Sequence, residues 1–574
     1  MRRDLAISIG QHSDKGRKET NQDFHGALIP VQPALGLKGI VVALADGIST
    51  SSVSRIAAES AIKGFLTDYY CTSDSWSVKT SAQRVIAATN AWLYSQTRRS
   101  QYAHDMDRGY VCTFSVLVLK STSAHVFHIG DSRVYRMSGQ SLEQLTNDHR
   151  IAISSEQSYL SRALGANPEV EIDYNVVAIE RGDIFVLATD GVYEHAGPRF
   201  VASAIKEHAA DLDGAARAIV AEAYDNGSSD NLTVQIVRID DVPGAEAGEA
   251  IGPASDLPMP PMLEPRMLFD GYTIVRQLHG SSRSHIFLAI DSLSNEKAVI
   301  KIPSVDLRDD PNYLKRLMME EWIARRIDNG HVLKGSPHPR TKNFLYVVTE
   351  FVEGQTLTQW MIDNPKPDLE TVRGIVEQIA KGLRAFHRKE MLHQDLRPEN
   401  IMIDKAGTVK IIDFGSVRVA GVAETRPQDA GEDILGTAQY TAPEYFLGEN
   451  GSMQSDQFSL GVIAYQMLTG TLPYGAGIAR ARTRSQMGKL AYVPASVVRD
   501  DVPVWLDGAL RRALSLDPRK RYEALSEFLN DLRNPNPNYL RPTPLIERNP
   551  HLFWQGLAFV LLCTNLVSIY FLKR

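Results

Sequence analysis

Short runs of consecutive apolar, often β-branched residues recur through the first 240 positions, and several of them stop at an aspartate. Ile40–Ala45 runs into Asp46-Gly47, Ala124–Ile129 into Gly130-Asp131 and Ile184–Ala188 into Thr189-Asp190-Gly191, while Asp230-Asn231 precedes Leu232–Val237. Runs of this length bounded by turn residues predict buried strands. Farther on, Ala298-Val299-Ile300-Lys301 predicts another strand and Pro311–Ile327 a helix. Between these blocks, Asp240–Met267 holds six prolines and almost no aliphatic periodicity, which predicts a linker. Asn534–Pro550 reads as a second linker. After it, Leu552–Leu572 carries no formal charge. At ~1.5 Å per residue, about twenty residues of helix cross a ~30 Å hydrocarbon core. Trp554 and Tyr570 near the two ends of the run, with Lys573 and Arg574 beyond it, suit a single membrane span. The other reading is an apolar helix docked on the folded domains.

Composition narrows the classes. A chain of 574 residues exceeds a single core, and 43% hydrophobic with 23% charged residues excludes wholesale disorder. A net charge of −6 argues against a dedicated nucleic-acid binder, so no nucleic-acid partner is expected. Cys71, Cys112 and Cys563 lie too far apart for a disulfide framework or paired metal ligands, which suits a reducing compartment. Met1–Gly10 lacks an apolar run of secretory length, so the folded domains are expected on the cytoplasmic side.

A lone Asp-Gly pair reads as a turn. Four aspartates at strand ends of one domain can instead converge at one sheet edge, as hard oxygen ligands for Mg²⁺ or Mn²⁺. No compact His/Cys cluster points to zinc. The segments Asn21-Gln22-Asp23, Ala45-Asp46-Gly47, Gly130-Asp131-Ser132-Arg133, Ser161-Arg162-Ala163-Leu164-Gly165, Thr189-Asp190-Gly191 and Ser229-Asp230-Asn231 lie in this order. As a set they make residues 5–240 resemble the protein phosphatase type 2C family. The resemblance implies a β-sandwich flanked by helices and two metal ions bridged by Asp46. One ion would also take the backbone carbonyl of Gly47, the other Asp190 and Asp230. Asp23 would act through bound water, and Asp131 would help to form a third site. The implied reaction is direct attack by water on phosphoserine or phosphothreonine. Where the family usually places a phosphate-binding arginine, this chain has Lys18, next to Arg17; a lysine keeps the charge and loses the bidentate fork. The acidic residue expected before Asp23 is Gln22.

The second block carries His393-Gln394-Asp395-Leu396-Arg397-Pro398-Glu399-Asn400, then Asp413-Phe414-Gly415, then Ala442-Pro443-Glu444. With these motifs, residues 268–533 resemble a eukaryotic-like serine/threonine protein kinase of two lobes. The resemblance implies that Asp395 accepts the proton of the substrate hydroxyl, while Asn400 and Asp413 hold Mg²⁺ against ATP. Lys301 would reach the α/β-phosphates. Glu320 and Glu321 compete to pair with it, and Glu320 is preferred because Ala324 then packs inward one turn later. Leu278, Gly280 and Ile286 would line the nucleotide site. Thr349-Glu350-Phe351-Val352 would form the gatekeeper and hinge, with Glu350 and Val352 beside adenine, and Arg521 would pair with Glu444. The chain departs from the pattern in two places. The phosphate-covering loop has His279, Ser281 and Ser284 where three glycines are expected, with only Gly280 nearby. The arginine that ordinarily precedes the catalytic aspartate, and reads phosphate on the activation loop, is Gln394.

The chain is therefore expected to be α+β, with a phosphatase domain (5–240), a linker (241–267), a kinase domain (268–533), a juxtamembrane linker (534–550) and a transmembrane helix (552–572). Its expected function is bifunctional: metal-dependent hydrolysis of phosphoserine and phosphothreonine, using two or three Mg²⁺ or Mn²⁺ ions, and phosphorylation of protein Ser/Thr by ATP with Mg²⁺. Phosphoprotein substrates, self-phosphorylation, self-dephosphorylation and a bacterial inner membrane complete the picture. The alternative is an active phosphatase tethered to a pseudokinase that binds or regulates. The linker's r.m.s. span, on the order of 30 Å, lets the two domains meet often.

Overall fold

A computed structural model describes residues 4–152, 158–243, 257–281, 283–307, 310–336, 340, 342–424, 439–540 and 550–572. The chain folds into two α+β domains.

In the first domain, all six residues of Ile40–Ala45 have no exposure, because both faces of their sheet are covered. One five-stranded sheet runs in the spatial order Asp173–Ala178, Ser123–Ile129, Phe114–Lys120, Ile40–Ala45 and Phe24–Leu28. The other runs Ala6–Asp14, Leu232–Asp241, Ile184–Ala188, Arg133–Ser138 and Ser141–Gln144. Successive side chains of a strand point to opposite faces. Ile40, Val42 and Leu44 accordingly meet Phe185, Leu187 and Val237 between the sheets. Val41, Ala43 and Ala45 pack outward against the helices Ser54–Cys71 and Val78–Arg99. The helices Pro198–Glu207 and Leu212–Asp225 cover the other sheet in the same way. The domain is thus the expected sandwich flanked by helices. Its antiparallel register, with Phe24 opposite Ala45, Phe114 opposite Ile129, and Ala188 opposite both Arg133 and Val234, carries the aspartate-bearing strand ends to one end of the sandwich.

The second domain has two lobes. Five antiparallel strands, Leu268–Phe269, Tyr272–Gly280, Ser284–Asp291, Lys297–Pro303 and Val347–Glu350, form the first together with the helix Pro311–Ala324. That helix ends at Ala324, and residues 325–326 continue as a turn. Leu263, inside the proline-rich stretch read as linker, is 3% exposed and packs in this lobe's core beside Phe269 and Tyr272; 244–256 lie outside the described residues. The second lobe is helical around the almost wholly buried helix Met453–Thr469, which a capping box at Ser452 and Ser455 begins and left-handed Gly470 ends. Beside it Arg521 donates from Nη1 and Nη2 to the two carboxylate oxygens of Glu444, both at 2.8 Å, with side-chain exposures of 0% and 3%. Removing one partner strands the other charge, so Arg521→Ala is expected to cost about 3–5 kcal/mol of stability in denaturant titration; a loss below ~1 kcal/mol would show that the pair contributes no more than an exposed one.

The apolar run at the end of the sequence lies in a helix, Pro550–Leu572. Among the described residues no helix is long and apolar enough to cross a membrane. Trp554, Phe559, Val560, Leu561 and Leu562 are all more than half exposed, so this stretch is not docked on either domain.

Candidate active sites

At the carboxylate end of the sandwich, Asp46 and Asp23 are held by threonines distant in sequence. Asp46 is tied into the chain by its amide, which donates to Thr113 Oγ1 at 2.9 Å, and by its carbonyl, which accepts from Thr113 N at 2.7 Å. Asp23 is 5% exposed; its Oδ2 accepts from Thr233 Oγ1 at 2.6 Å and Thr189 Oγ1 at 3.1 Å, while its Oδ1 is buried without a hydrogen-bond partner. Burial, opposed by these hydroxyls, pushes Asp23 up to about 6. Asp190 opens the short helix Asp190–Tyr193, and burial with the charges of Asp131 and Asp230 raises it to about 7. Asp46 is driven well above the ordinary carboxylate range by burial and then by Asp23, Asp190 and Asp131. These side chains are crowded enough to oppose one another's ionisation. Gly47 makes an isolated β-bridge with Cys112 and donates to Gln22 O, leaving no room for a Cβ, which would lie 2.9 Å from that oxygen and from Ser54.

Two protein cations enter the cluster. Arg150, which the sequence motifs did not single out, donates to Asp131, to Asp190 at 2.6 Å and to Glu194 at 2.8 Å. Lys18 pairs with Asp230 and donates to Ser49 Oγ at 2.6 Å. Its neighbour Arg17 points elsewhere: the guanidinium donates to Gly227 O and Tyr224 O and lies over the Tyr224 ring. Of the two basic residues expected to bind phosphate, only Lys18 therefore contacts the acids. Gln22, which stands where an acidic residue was expected, donates to Ser51 O and Ser54 Oγ. Among the described residues no group of three or more His, Cys, Asp or Glu side chains stands ready in metal-ligand geometry. The chemistry of the donors nevertheless fits a hard divalent cation: oxygen only, buried, mutually repelling, with one Asp23 oxygen unpartnered.

In the second domain Lys301, opposite Ile286 in the sheet, donates to both oxygens of Glu320 at 2.7 and 2.8 Å and lies 3.6 Å from Asp413. Glu321 instead pairs with Arg325 and Lys342, so the preference for Glu320 matches the pairing in the structure. Burial alone would lower Lys301, but Asp413 and Glu320 hold it above its ordinary value; burial likewise opposes the charge on Asp413, and Lys301 holds it below the usual range. Phe414 is buried against Phe386, and His393 meets the same ring edge-on, its pKa lowered by burial. Asn400 donates to Asp395 O at 2.9 Å and Asp395 Oδ2 at 3.2 Å. Asp456, a buried acid in the helix Met453–Thr469 that sequence reading passed over, accepts from His393 N and Gln394 N at 3.0 Å and bonds His387 at 2.9 Å. It holds Gln394 at φ +64, a left-handed backbone that non-glycine residues adopt rarely and mostly where function requires it.

The nucleotide hairpin closes on itself. His279 pairs with Ile286 and Gly280 with His285, while Ser281 Oγ accepts from the amides of Arg283 and Ser284 at 3.2 Å. Those amides are engaged by a hydroxyl where a glycine loop would offer them to phosphate. Leu278 lies on the same strand. In the segment expected to form the hinge, Glu350 pairs with Lys410 at 2.7 Å, its amide donates to Lys334 O, and Val352 is buried.

The family model for the protein kinase domain matches residues 272–538, and that for protein phosphatase 2C matches residues 11–222. The chain joins a protein phosphatase 2C domain to a protein kinase domain. The kinase half is similar to a probable serine/threonine-protein kinase of Clostridium acetobutylicum, 27% identical over 274 residues, 48% of this chain and 41% of the relative. It is also similar to the probable serine/threonine-protein kinase PknB of Bifidobacterium longum, 30% identical over 279 residues, 47% and 40%. This chain thus spans about two fifths of the length of these relatives. Among solved structures, the PknI kinase domain of Mycobacterium tuberculosis aligns at 25% identity over 47% of this chain and 98% of that one, with a TM-score of 0.38. PppA of Pseudomonas aeruginosa aligns at 19% identity over 41% and 99%, with a TM-score of 0.34.

Proposed function

We propose that this is a bifunctional signalling enzyme, whose phosphatase domain hydrolyses phosphoserine and phosphothreonine and whose kinase domain transfers phosphate from ATP to protein Ser/Thr. The observation that carries the reading is the joined set Lys301, Glu320, Asp413, Asp395 and Asn400 on the same chain as the buried carboxylate cluster.

In the phosphatase domain, Asp46, the Gly47 carbonyl, Asp190, Asp230, Asp23 and Asp131 would hold two or three Mg²⁺ or Mn²⁺ ions, which supply an acidified water and positive charge for the phosphate oxygens. Lys18 brings a point charge beside Asp230 to meet a substrate phosphate. The hydroxyls of Thr189 and Thr233 orient Asp23 and leave its second oxygen to the site. In the kinase domain, Lys301, held by Glu320, would steady the α/β-phosphates, and Asn400 and Asp413 would hold Mg²⁺. Asp395, oriented by the Asn400 amide, would accept the substrate's hydroxyl proton. The adenine of ATP would lie against Leu278, Gly280, Ile286, Glu350 and Val352. One observation favours a second reading, a pseudokinase that binds or regulates: the Ser281 hydroxyl engages the two hairpin amides. Mg²⁺-dependent transfer of labelled phosphate from ATP to protein separates the two readings, since a pseudokinase gives none.

The same reading places the enzyme on a membrane, anchored once through 552–572 with both domains on the cytoplasmic side of a bacterial inner membrane. It is supported by the uncharged run and by the exposed apolar side chains of Trp554, Phe559 and Leu562. Truncation after Pro550 is expected to move the protein from the membrane pellet to the supernatant with both activities intact. Full-length protein in the supernatant without detergent would refute the anchor.

A further inference from the structure

The two domains touch along a junction that neither proposed reaction uses. From the phosphatase side come the turn between the helices Ser54–Cys71 and Val78–Arg99, the end of the short helix Ala34–Lys38, and Lys120 at a strand end. From the kinase side come Arg326, just after the helix that carries Glu320, the turn 388–390, and the short helix Ala420–Ala423 with Glu424, a few residues beyond Asp413-Phe414-Gly415.

Its contacts are specific. Glu424 accepts from Val78 N with both oxygens at 3.1 Å, and Glu390 accepts from Ser77 N at 2.7 Å and Thr80 Oγ1 at 2.6 Å. Two kinase carboxylates therefore cap the N-terminus of a 22-residue phosphatase helix, where exposed amides and the helix dipole favour negative charge. Lys120, 1% exposed, donates to Gly421 O at 2.6 Å and pairs with Glu424 at 3.0 Å. Trp76 Nε1 donates to Arg388 O at 3.0 Å, Gly421 N to Ser75 O at 3.0 Å, and Arg326 to Asp74 at 3.1 Å. Leu37 is 2% exposed within the apolar core of the kinase's helical lobe. The backbones meet so closely at Gly421 that a Cβ there would lie 2.7 Å from Trp76 O and 2.9 Å from Asp74 O.

These are the kinase elements whose positions decide whether Lys301 meets Glu320 and whether Asp413 faces Lys301. In the docked arrangement both conditions hold, and the start of the segment is ordered: Arg418–Val419 pairs with Met391–Leu392, and Ala420 N donates to Glu390 O. Gln394 offers no charge with which to order this segment through a phosphate. We propose that the phosphatase domain is a built-in activator of the kinase domain, gripping 420–424 and Arg326 so that the catalytic set stays assembled. The proposal rests on the kinase reading above.

The test uses the full-length chain and measures ADP release, which the phosphatase domain cannot erase. In Gly421→Leu and in Lys120→Glu, ADP release should fall about tenfold or more, in the ordinary range of intramolecular coupling. Lys120→Arg, which keeps a positively charged donor facing Gly421 O and Glu424, should retain most of it, and phosphopeptide hydrolysis by Lys120→Glu should stay near the wild-type rate, which a merely misfolded chain could not sustain. Turnover within about twofold of wild type in both Gly421→Leu and Lys120→Glu, or turnover that rises as an autoinhibitory contact would make it, overturns the proposal. Hydrogen exchange over 311–327 and 414–424 reads the coupling even without turnover. Faster exchange in Gly421→Leu is expected, and equal exchange overturns the proposal. A wild type that releases no ADP yet shows this exchange difference sinks the kinase reading alone.

Discussion

Asp46→Asn is expected to lower phosphopeptide hydrolysis by on the order of 10²–10³-fold or more, the cost of losing one well-placed electrostatic group at a reacting centre. The expected effect is at the upper end because Asp46 lies where Asp23, Asp190 and Asp131 all bear on it. Asparagine keeps the shape and removes the charge that would bridge two cations. The same variant should lose the thermal stabilisation that saturating Mn²⁺ gives the wild type, about 2.7 kcal/mol at a hundredfold excess over Kd. ATP binding, located in the other domain, should not change. If the phosphatase domain also clears phosphate that the kinase domain places on its own chain, intact mass after incubation with ATP will show more phosphate on Asp46→Asn than on wild type. Of the threonines between Asp413 and Glu444, which are candidate acceptors, Thr441 is buried, while Thr425 and Thr437 lie outside the described residues. Near-normal hydrolysis by Asp46→Asn at ordinary metal concentration would refute the assignment of the carboxylate cluster.

Asp413→Ala should remove kinase turnover, by about 10³-fold or more, and leave the phosphatase untouched. Two losses combine: a carboxylate that would hold Mg²⁺ on the transferred phosphate, and the counter-charge 3.6 Å from Lys301 that keeps the ammonium in place. Lys301 would retain Glu320, so ATP affinity should fall less than turnover. Turnover within about tenfold of wild type would show that phosphate transfer does not depend on this carboxylate.

Much of this was legible in the sequence because the chemistry-bearing residues sit where local pattern reports them. Aspartates ending apolar runs reached one end of the sandwich, since antiparallel register returns strand ends to the same edge. The choice of Glu320 over Glu321 followed from helical spacing, and the pairing of Arg521 with Glu444 from motif order. Contacts without a local period were not legible. Arg150 meets Asp190 across 40 positions, and Thr233 meets Asp23 across 210. Adjacency misled at Arg17, where the guanidinium takes helix-end carbonyls and an aromatic face in place of the acids. The proline-rich stretch before the kinase domain lacks periodicity, yet a single leucine, Leu263, anchors part of it in a core; burial requires no regular repeat.

The junction at Gly421 also limits how such a chain can be rearranged. Were the domains joined only by a proline-rich tether, either could be replaced by a foreign homologue without consequence. Here a main chain passes where only a hydrogen fits, and Lys120, Glu390 and Glu424 find their counterparts across the boundary. Among descendants of this gene, residues 74–80 and 120 should therefore change in step with 388–390 and 420–424, while the tether drifts. A chimera cut within the tether would inherit two sound domains and a mismatched seam.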